Sequence, residues 1–275
     1  MIILSLTAHE NLECLCDLLD NIKKCFVNYD ILILLSITEN LYNEKLKIYD
    51  FVKCVTIRKN NYPSISGGNI DLFHQHILNM KYVYDNAITY DYFWFVASNE
   101  MFIKIIPPDF LNNYSIKIID KKQKINDLDY DVYFKNLMNN THSWYWIDLI
   151  KKDNNFMNYI YRNKFILHGC AHEGLVLSSD IVLEIFNEYN TNKLYDNSTF
   201  KGYVMEEIFI SSFLINRYTL SNNPKTFCFR YIYTKGNISS YKEIENDLQE
   251  YHVSIKPVRR DYNDSIRTYI RHKNF

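Results

Sequence analysis

"MIILSLTAHENLECLCDLLDNIKKCF", residues 1–26, is the stretch whose reading decides the fold. Its first seven residues are almost continuously apolar, which suits a strand buried on both faces. Thr7 followed three residues later by Glu10 reads as a capping box, and the amphipathic run behind it reads as a helix to Phe26. A buried strand passing straight into a helix is the first half of a βαβ unit.

The pattern repeats outward. "YDILILLS" (29–36), "FVKCVTI" (51–57) and "YDYFWFVAS" (90–98) read as further buried strands, and "IDLFHQHILNMKYVYDNA" (70–87) as a long amphipathic helix. Continuous apolar strands alternating with helices predict an α/β fold with a mostly parallel central sheet flanked by helices. In open sheets of that kind ligands bind beyond the carboxyl ends of the strands. That rule puts Thr7, Ala8 and His9, then Ser36, then Ser98, Asn99 and Glu100, along one candidate site edge. Farther on, "FILHGCAHEGLVLSSDIVLEIFNEY" (165–189) reads as a strand pair and then a helix capped by Ser178 or Ser179. No internal repeat or linker interrupts the 275 residues, so one domain is expected.

Composition limits the chemistry. Hydrophobic residues make up 47% of the chain and aromatics 16%, which describes a folded globular protein. A formal net charge of -1 argues against a general nucleic-acid binder. The start lacks the basic, apolar and small-residue succession of a signal peptide, and no run reaches the roughly 18 apolar residues of a membrane helix. A cytoplasmic protein with no transmembrane segment is expected, which leaves room for peripheral membrane contact. The six cysteines show no repeated spacing and read as reduced thiols.

Four features carry candidate chemistry. In "GYVMEEIFISSFL" (202–214) two adjacent carboxylates, Glu206 and Glu207, head an apolar helix. A first helical turn favours acidic residues, yet that explains one glutamate and not a pair drawn towards a core. In "KPVRRDYNDSIRTYIRHKNF" (256–275) Lys256, Arg259, Arg260, Arg267, Arg271 and Lys273 face only Asp261 and Asp264. Such an excess suits a pyrophosphate, or else a solvated terminal helix. Arg259 and Arg260 precede the helix and are the better anion ligands. "SGGN" (66–69) is no P-loop; Gly68 belongs to a tight turn whose amides suit a polar ligand. Trp144 and Trp146 stack on a sugar ring or fill core, core being the commoner fate. The histidine pairs His74/His76 and His168/His172 lack good ligand spacing, so no metal site is expected.

In their order these pieces resemble the core-2/I-branching β-1,6-N-acetylglucosaminyltransferase family. The similar stretches are "SLTAHENLECLCDLLDNI" (5–22), "SGGNIDLFHQHILNMKYVYDN" (66–86), "YDYFWFVASNEMFI" (90–103), "GCAHEGLVLSSDIVLEIF" (169–186) and "VMEEIFISSFL" (204–214). The resemblance implies a GT-A-like fold and metal-independent, inverting transfer from a UDP-sugar to a glycan hydroxyl. It implies Glu207 as general base beside Glu206, with Lys256, Arg259 and Arg260 on the pyrophosphate. Thr7, Ala8, His9 and Gly68 then belong to the nucleotide-sugar site, and Ser98, Asn99, Glu100, Trp144 and Trp146 to the acceptor. A nucleotide-sugar half would span about 1–105 and an acceptor and catalytic half about 106–275. The chain departs from the family where Ser98-Asn99-Glu100 replaces Ser-Gly-x-Asp and Met205-Glu206 replaces Pro-Asp. No cofactor is expected beyond the donor substrate. Two other readings are a metal-dependent enzyme holding Mn²⁺ through Glu100 and a non-catalytic glycan-binding or scaffold protein.

Overall fold

A computed structural model describes residues 1–9, 11–58, 70–122, 126–142, 145–221, 230–232 and 240–273. The first βα succession is β1 (Ile2–Ala8), α1 (Leu12–Cys25), β2 (Ile31–Thr38), β3 (Val52–Arg58), α2 (Ile70–Asp85) and β4 (Tyr92–Ala97). There follow β5 (Met101–Phe102), α3 (Phe110–Tyr114), β6 (Ile118–Lys121), α4 (Asp127–Asn139), α5 (Tyr145–Ile150) and α6 (Asn154–Asn163). The later elements are β7 (Val176–Ser178), α7 (Ser179–Thr191), α8 (Met205–Arg217), β8 (Tyr218–Leu220) and β9 (Arg230–Ile232). Last come α9 (Lys242–Glu245), β10 (Ser254–Lys256) and α10 (Ser265–His272).

The fold is the expected α/β one. The main sheet has the order β3-β2-β1-β4-β7, with the first four strands parallel and β7 antiparallel to β4. β1 is central and buried along its whole length, as a strand covered on both faces must be. Its neighbour β4 carries Trp94, fully buried edge-on against Phe26 and Phe102. One hydrophobic cluster runs from Ile2 to Ile270. No helix among the described residues is long and apolar enough to cross a membrane.

Three local expectations change. The helix α1 is capped by Asn11, whose side chain accepts the Cys14 N–H at 3.0 Å, while Thr7 stays inside β1. Asn is as good a cap as Thr, and here it lies one residue ahead of the helix. Residues 165–175 form an irregular segment where a strand was expected, so β7 is the part of "FILHGCAHEGLVLSS" that pairs with β4. Ser178 occupies the N-cap position of α7 without a side-chain cap bond, its hydroxyl being held by Asp180.

The basic tail also divides. Arg267 is fully buried and donates from Nη1 to Asp17 Oδ2 at 2.9 Å and to the Cys14 carbonyl at 3.2 Å. Arg271 donates from Nε to Asp17 Oδ1 at 2.7 Å and stacks over Tyr262. These two arginines therefore dock α10 on α1 and are not anion ligands. Removing one partner of a buried pair leaves the other charge uncompensated. Asp17→Ala is expected to cost about 3–5 kcal/mol of stability, read as a lower urea midpoint at neutral pH.

Candidate active site

At the carboxyl ends of β1 and β4 lies a cavity of about 190 Å³. Thr7 and His9 line it from β1, Ala97, Ser98 and Asn99 from β4, and Glu206 and Glu207 from α8. His76, His172, Glu173, Lys256 and Arg260 complete its polar wall. A smaller crevice beside it shares His9, Ser98 and Arg260 and reaches Ala8 and Asn11 at the N-terminus of α1. A larger hollow of about 330 Å³ lies by α6, walled largely by asparagines. The amides of Asn155, Asn163, Asn192 and Asn197 there donate to backbone carbonyls, and no cluster of titratable groups faces it. The strand-end cavity is therefore the candidate site.

The helix α8 is core on nearly every face, with Met205, Ile208, Phe209, Ile210, Phe213 and Leu214 buried. Its packing fixes the first turn and so brings both glutamates to the cavity. The irregular segment runs along the flank of α8 and is pinned at several points. Ile166 N–H donates to Asn216 Oδ1 at 3.0 Å, His168 N–H to Ser212 Oγ at 2.9 Å, and Cys170 N–H to the Glu207 carbonyl at 2.8 Å. The segment then delivers His172 and Glu173 to the same cavity. Gly174 turns it into β7 with φ of 86°, a conformation that side chains other than glycine disfavour.

Electrostatics separate the two glutamates. Glu206 is 3% exposed, whereas Glu207 is half-buried. Burial pushes the Glu206 carboxyl well above the usual carboxylate range; its own backbone N–H opposes this, and the charges of Glu207 and Glu173 add to it. His76 forms part of the cavity floor, and burial lowers its imidazole to about 4, so it is neutral at pH 7. Asn79 Nδ2 donates to Ser5 Oγ at 2.8 Å, and Ser5 Oγ lies 2.7 Å from His76 Nδ1.

Two cations reach the cavity. Lys256 forms a close ion pair with Glu173. Arg260 is half-buried, and its carbonyl accepts from Asn11 Nδ2 at 3.4 Å. The segment bearing them is tied to the end of β4, Val258 N–H donating to the Asn99 carbonyl at 2.8 Å.

The structure thus brings together Thr7, His9, Ser98, Asn99, Glu206, Glu207, Lys256 and Arg260, with Ala8 in the adjoining crevice. Arg259 does not join them: its side chain is exposed, and its carbonyl accepts from Arg267. Trp146 packs against the core away from the cavity, and Ser36 is buried against Asn79. Gly68 and Trp144 lie outside the described residues. His76, His172 and Glu173 were not expected here. For His172 and Glu173 the signal was the "AHEG" run, set aside because its spacing suits ligands only in a helix; His76 was set aside because it and His74, two apart on a helix, point to different faces.

No family model matches the chain, and no curated protein does. Among solved structures, the galactosyltransferase LgtC in complex with donor and acceptor sugar analogs aligns at a TM-score of 0.28 with 9% identity. The alignment covers 60% of this chain and 65% of that one, so the chain spans less than two thirds of that enzyme. A likeness at this level assigns neither fold nor chemistry.

Glu100 is turned away from the cavity. It is fully buried, with Oε1 accepting from the Ser254 hydroxyl and Oε2 from the Ala97 N–H at 3.1 Å. Those bonds close the turn after β4 onto β10, which corrects its expected place as an acceptor contact or Mn²⁺ ligand. Glu100→Ala is expected to lower stability by about 2–3 kcal/mol by orphaning both donors. The loss is read as a lower urea midpoint at neutral pH.

Proposed function

We propose that this chain is an inverting glycosyltransferase that moves a sugar, N-acetylglucosamine or a similar one, from a UDP-sugar to a glycan hydroxyl. One observation carries the reading: a carboxylate pair and two cations, Glu206-Glu207 and Lys256 with Arg260, line one cavity at the strand ends. The motif order that resembles the core-2/I-branching family supports the same chemistry.

In this reading Glu207 is the general base. It is the more exposed of the pair, so its carboxylate can meet an incoming hydroxyl. Glu207 takes the acceptor proton while the acceptor oxygen attacks the anomeric carbon from the face opposite the donor phosphate. The bond from that carbon to the phosphate oxygen breaks, and UDP departs with the electron pair. Negative charge grows on the departing diphosphate, where Lys256 and Arg260 stabilise it in place of a metal. The crevice by Asn11 lets the phosphates approach the amides at the head of α1, a 14-residue helix. Glu206 lines the same cavity, and burial favours its neutral form.

The division into a nucleotide-sugar half at about 1–105 and a catalytic half at about 106–275 then mixes at the cavity. Thr7, His9 and Ser98 come from the first half, but the phosphate-holding cations come from the second.

The deciding experiment is binding of UDP and UDP-N-acetylglucosamine in EDTA, followed by transfer to a panel of glycan acceptors. Glu207→Gln is expected to slow transfer about 10²–10⁴-fold with UDP affinity little changed. Arg260→Ala should weaken UDP binding about tenfold or more, since a charged contact to phosphate is lost. Normal transfer by Glu207→Gln would remove it as the base. Failure of every nucleotide to bind would leave a non-catalytic scaffold.

A further inference from the structure

His172, Glu173 and Glu207 each offer one ligand atom, and these atoms all lie within 4.8 Å of one another. The set comes from two elements that the pinning of residues 166–170 along α8 holds in register. His172 Nδ1 and Glu173 Oε2 face each other at 3.3 Å. Around a tetrahedral ion with bonds of about 2.1 Å, neighbouring ligand atoms sit about 3.4 Å apart, so this pair is already at ligand spacing. Glu207, within 4.8 Å of the other two, has to close by at most about 1.4 Å to reach that spacing, within reach of a side-chain rotation.

Two further observations point to a cation. Glu206 lines the same cavity, is 3% exposed, and its Oε2 has no hydrogen-bond partner among the described residues. It lies outside the set of three, and its buried oxygen is open to a water bound on the ion. The Lys256 ammonium already lies against Glu173 Oε1, so this corner draws positive charge while Oε2 faces His172. One imidazole with carboxylates suits a borderline first-row ion, whereas Mg²⁺ and Ca²⁺ favour all-oxygen sets.

We propose that His172, Glu173 and Glu207 form a binding site for a divalent cation of the Zn²⁺ and Co²⁺ class, and that an ion held there takes Glu207 out of service as a base. The second half rests on the glycosyl-transfer reading; the first half does not. The ion is an inhibitor, because it occupies the lone pair that the acceptor proton needs. It also competes with Lys256 for Glu173.

The test uses the full chain, stripped with EDTA and dialysed, with no nucleotide present. Co²⁺ is titrated by its visible absorption and Zn²⁺ by calorimetry. One ion per chain is expected, with affinity falling at least about tenfold in His172→Ala and in Glu173→Gln. Lys256→Met should instead bind Zn²⁺ about threefold or more tighter, since its competing charge is gone. Exposed cysteines of a misfolded chain also bind Zn²⁺, so the gain counts only with an unchanged far-UV circular dichroism spectrum. In transfer assays of the wild type, Zn²⁺ should slow the reaction and EDTA restore it. Absence of Co²⁺ and Zn²⁺ binding at millimolar metal overturns the site, as does binding indifferent to His172→Ala. Acceleration of transfer by Zn²⁺ overturns the inhibitory role. A chain that transfers no sugar even in EDTA sinks the glycosyl-transfer reading, while the Co²⁺ titration still decides the site.

Discussion

Parallel pairing of β1 with both of its neighbours is the constraint from which the site follows. Parallel strands cannot be joined by tight hairpins, so each connection must return across a face of the sheet. All four leading strands then end at the same rim, and Thr7-Ala8 of β1 comes level with Ser36-Ile37 of β2 and, through Thr7, with Ala97 of β4. The crossover helices cover the faces but leave that rim for later parts of the chain to close. α8, the segment before β7 and the tail after β10 all converge there, which is why residues as far apart as Thr7 and Arg260 share one cavity.

The tail is held at the rim by buried polar contacts and not by apolar packing alone. Asn21 of α1 accepts the Phe102 N–H at 2.8 Å and donates to the Phe102 carbonyl at 2.9 Å, which fixes β5. Glu100 then binds Ser254 of the neighbouring β10, and Arg267 binds Asp17 beyond it. Lys256 and Arg260 lie between these anchors. Each anchor is satisfied only when its partner is in place, and an orphaned buried polar group costs far more than the bond itself gains. Cation placement in the cavity is therefore coupled to the stability of the α1–α10 contact.

Much of this was legible in the sequence, for identifiable reasons. Strands such as "ILILLS" and "YFWFVA" are long apolar runs whose burial is decided locally, so β1, β2, β3, β4 and the helix α2 appear where periodicity put them. The rule about strand ends led to His9, Ser98 and Asn99. Glu206-Glu207 stood out because a carboxylate pair opposed the apolar character of its own helix. What was not legible depends on contacts distant in sequence. Arg267 and Arg271 looked like part of an anion cluster because Asp17, some 250 positions away, is invisible to local reading. Glu100 looked like a site residue for the same reason, its partner Ser254 being far along the chain. His172 and Glu173 were judged by helical spacing, whereas an irregular segment needs no spacing rule once α8 fixes its course.

On the glycosyl-transfer reading the cavity has to let carboxylates and a diphosphate share one small space. Three glutamates near a diphosphate would repel it if all were ionised and unpaired. Two features reduce that repulsion. Burial drives Glu206 towards its neutral form, and Lys256 compensates Glu173 directly. On that reading Glu207 is then the carboxylate left to act on a hydroxyl, and Arg260, which lines the crevice at the head of α1, serves the phosphates. Lys256 links the two ends of the cavity, because any anion that draws it from Glu173 returns negative charge to the Glu207 side. On the glycosyl-transfer reading this makes donor binding a source of basicity: arrival of the diphosphate at Lys256 raises the negative potential at Glu207 just when the acceptor proton must be taken.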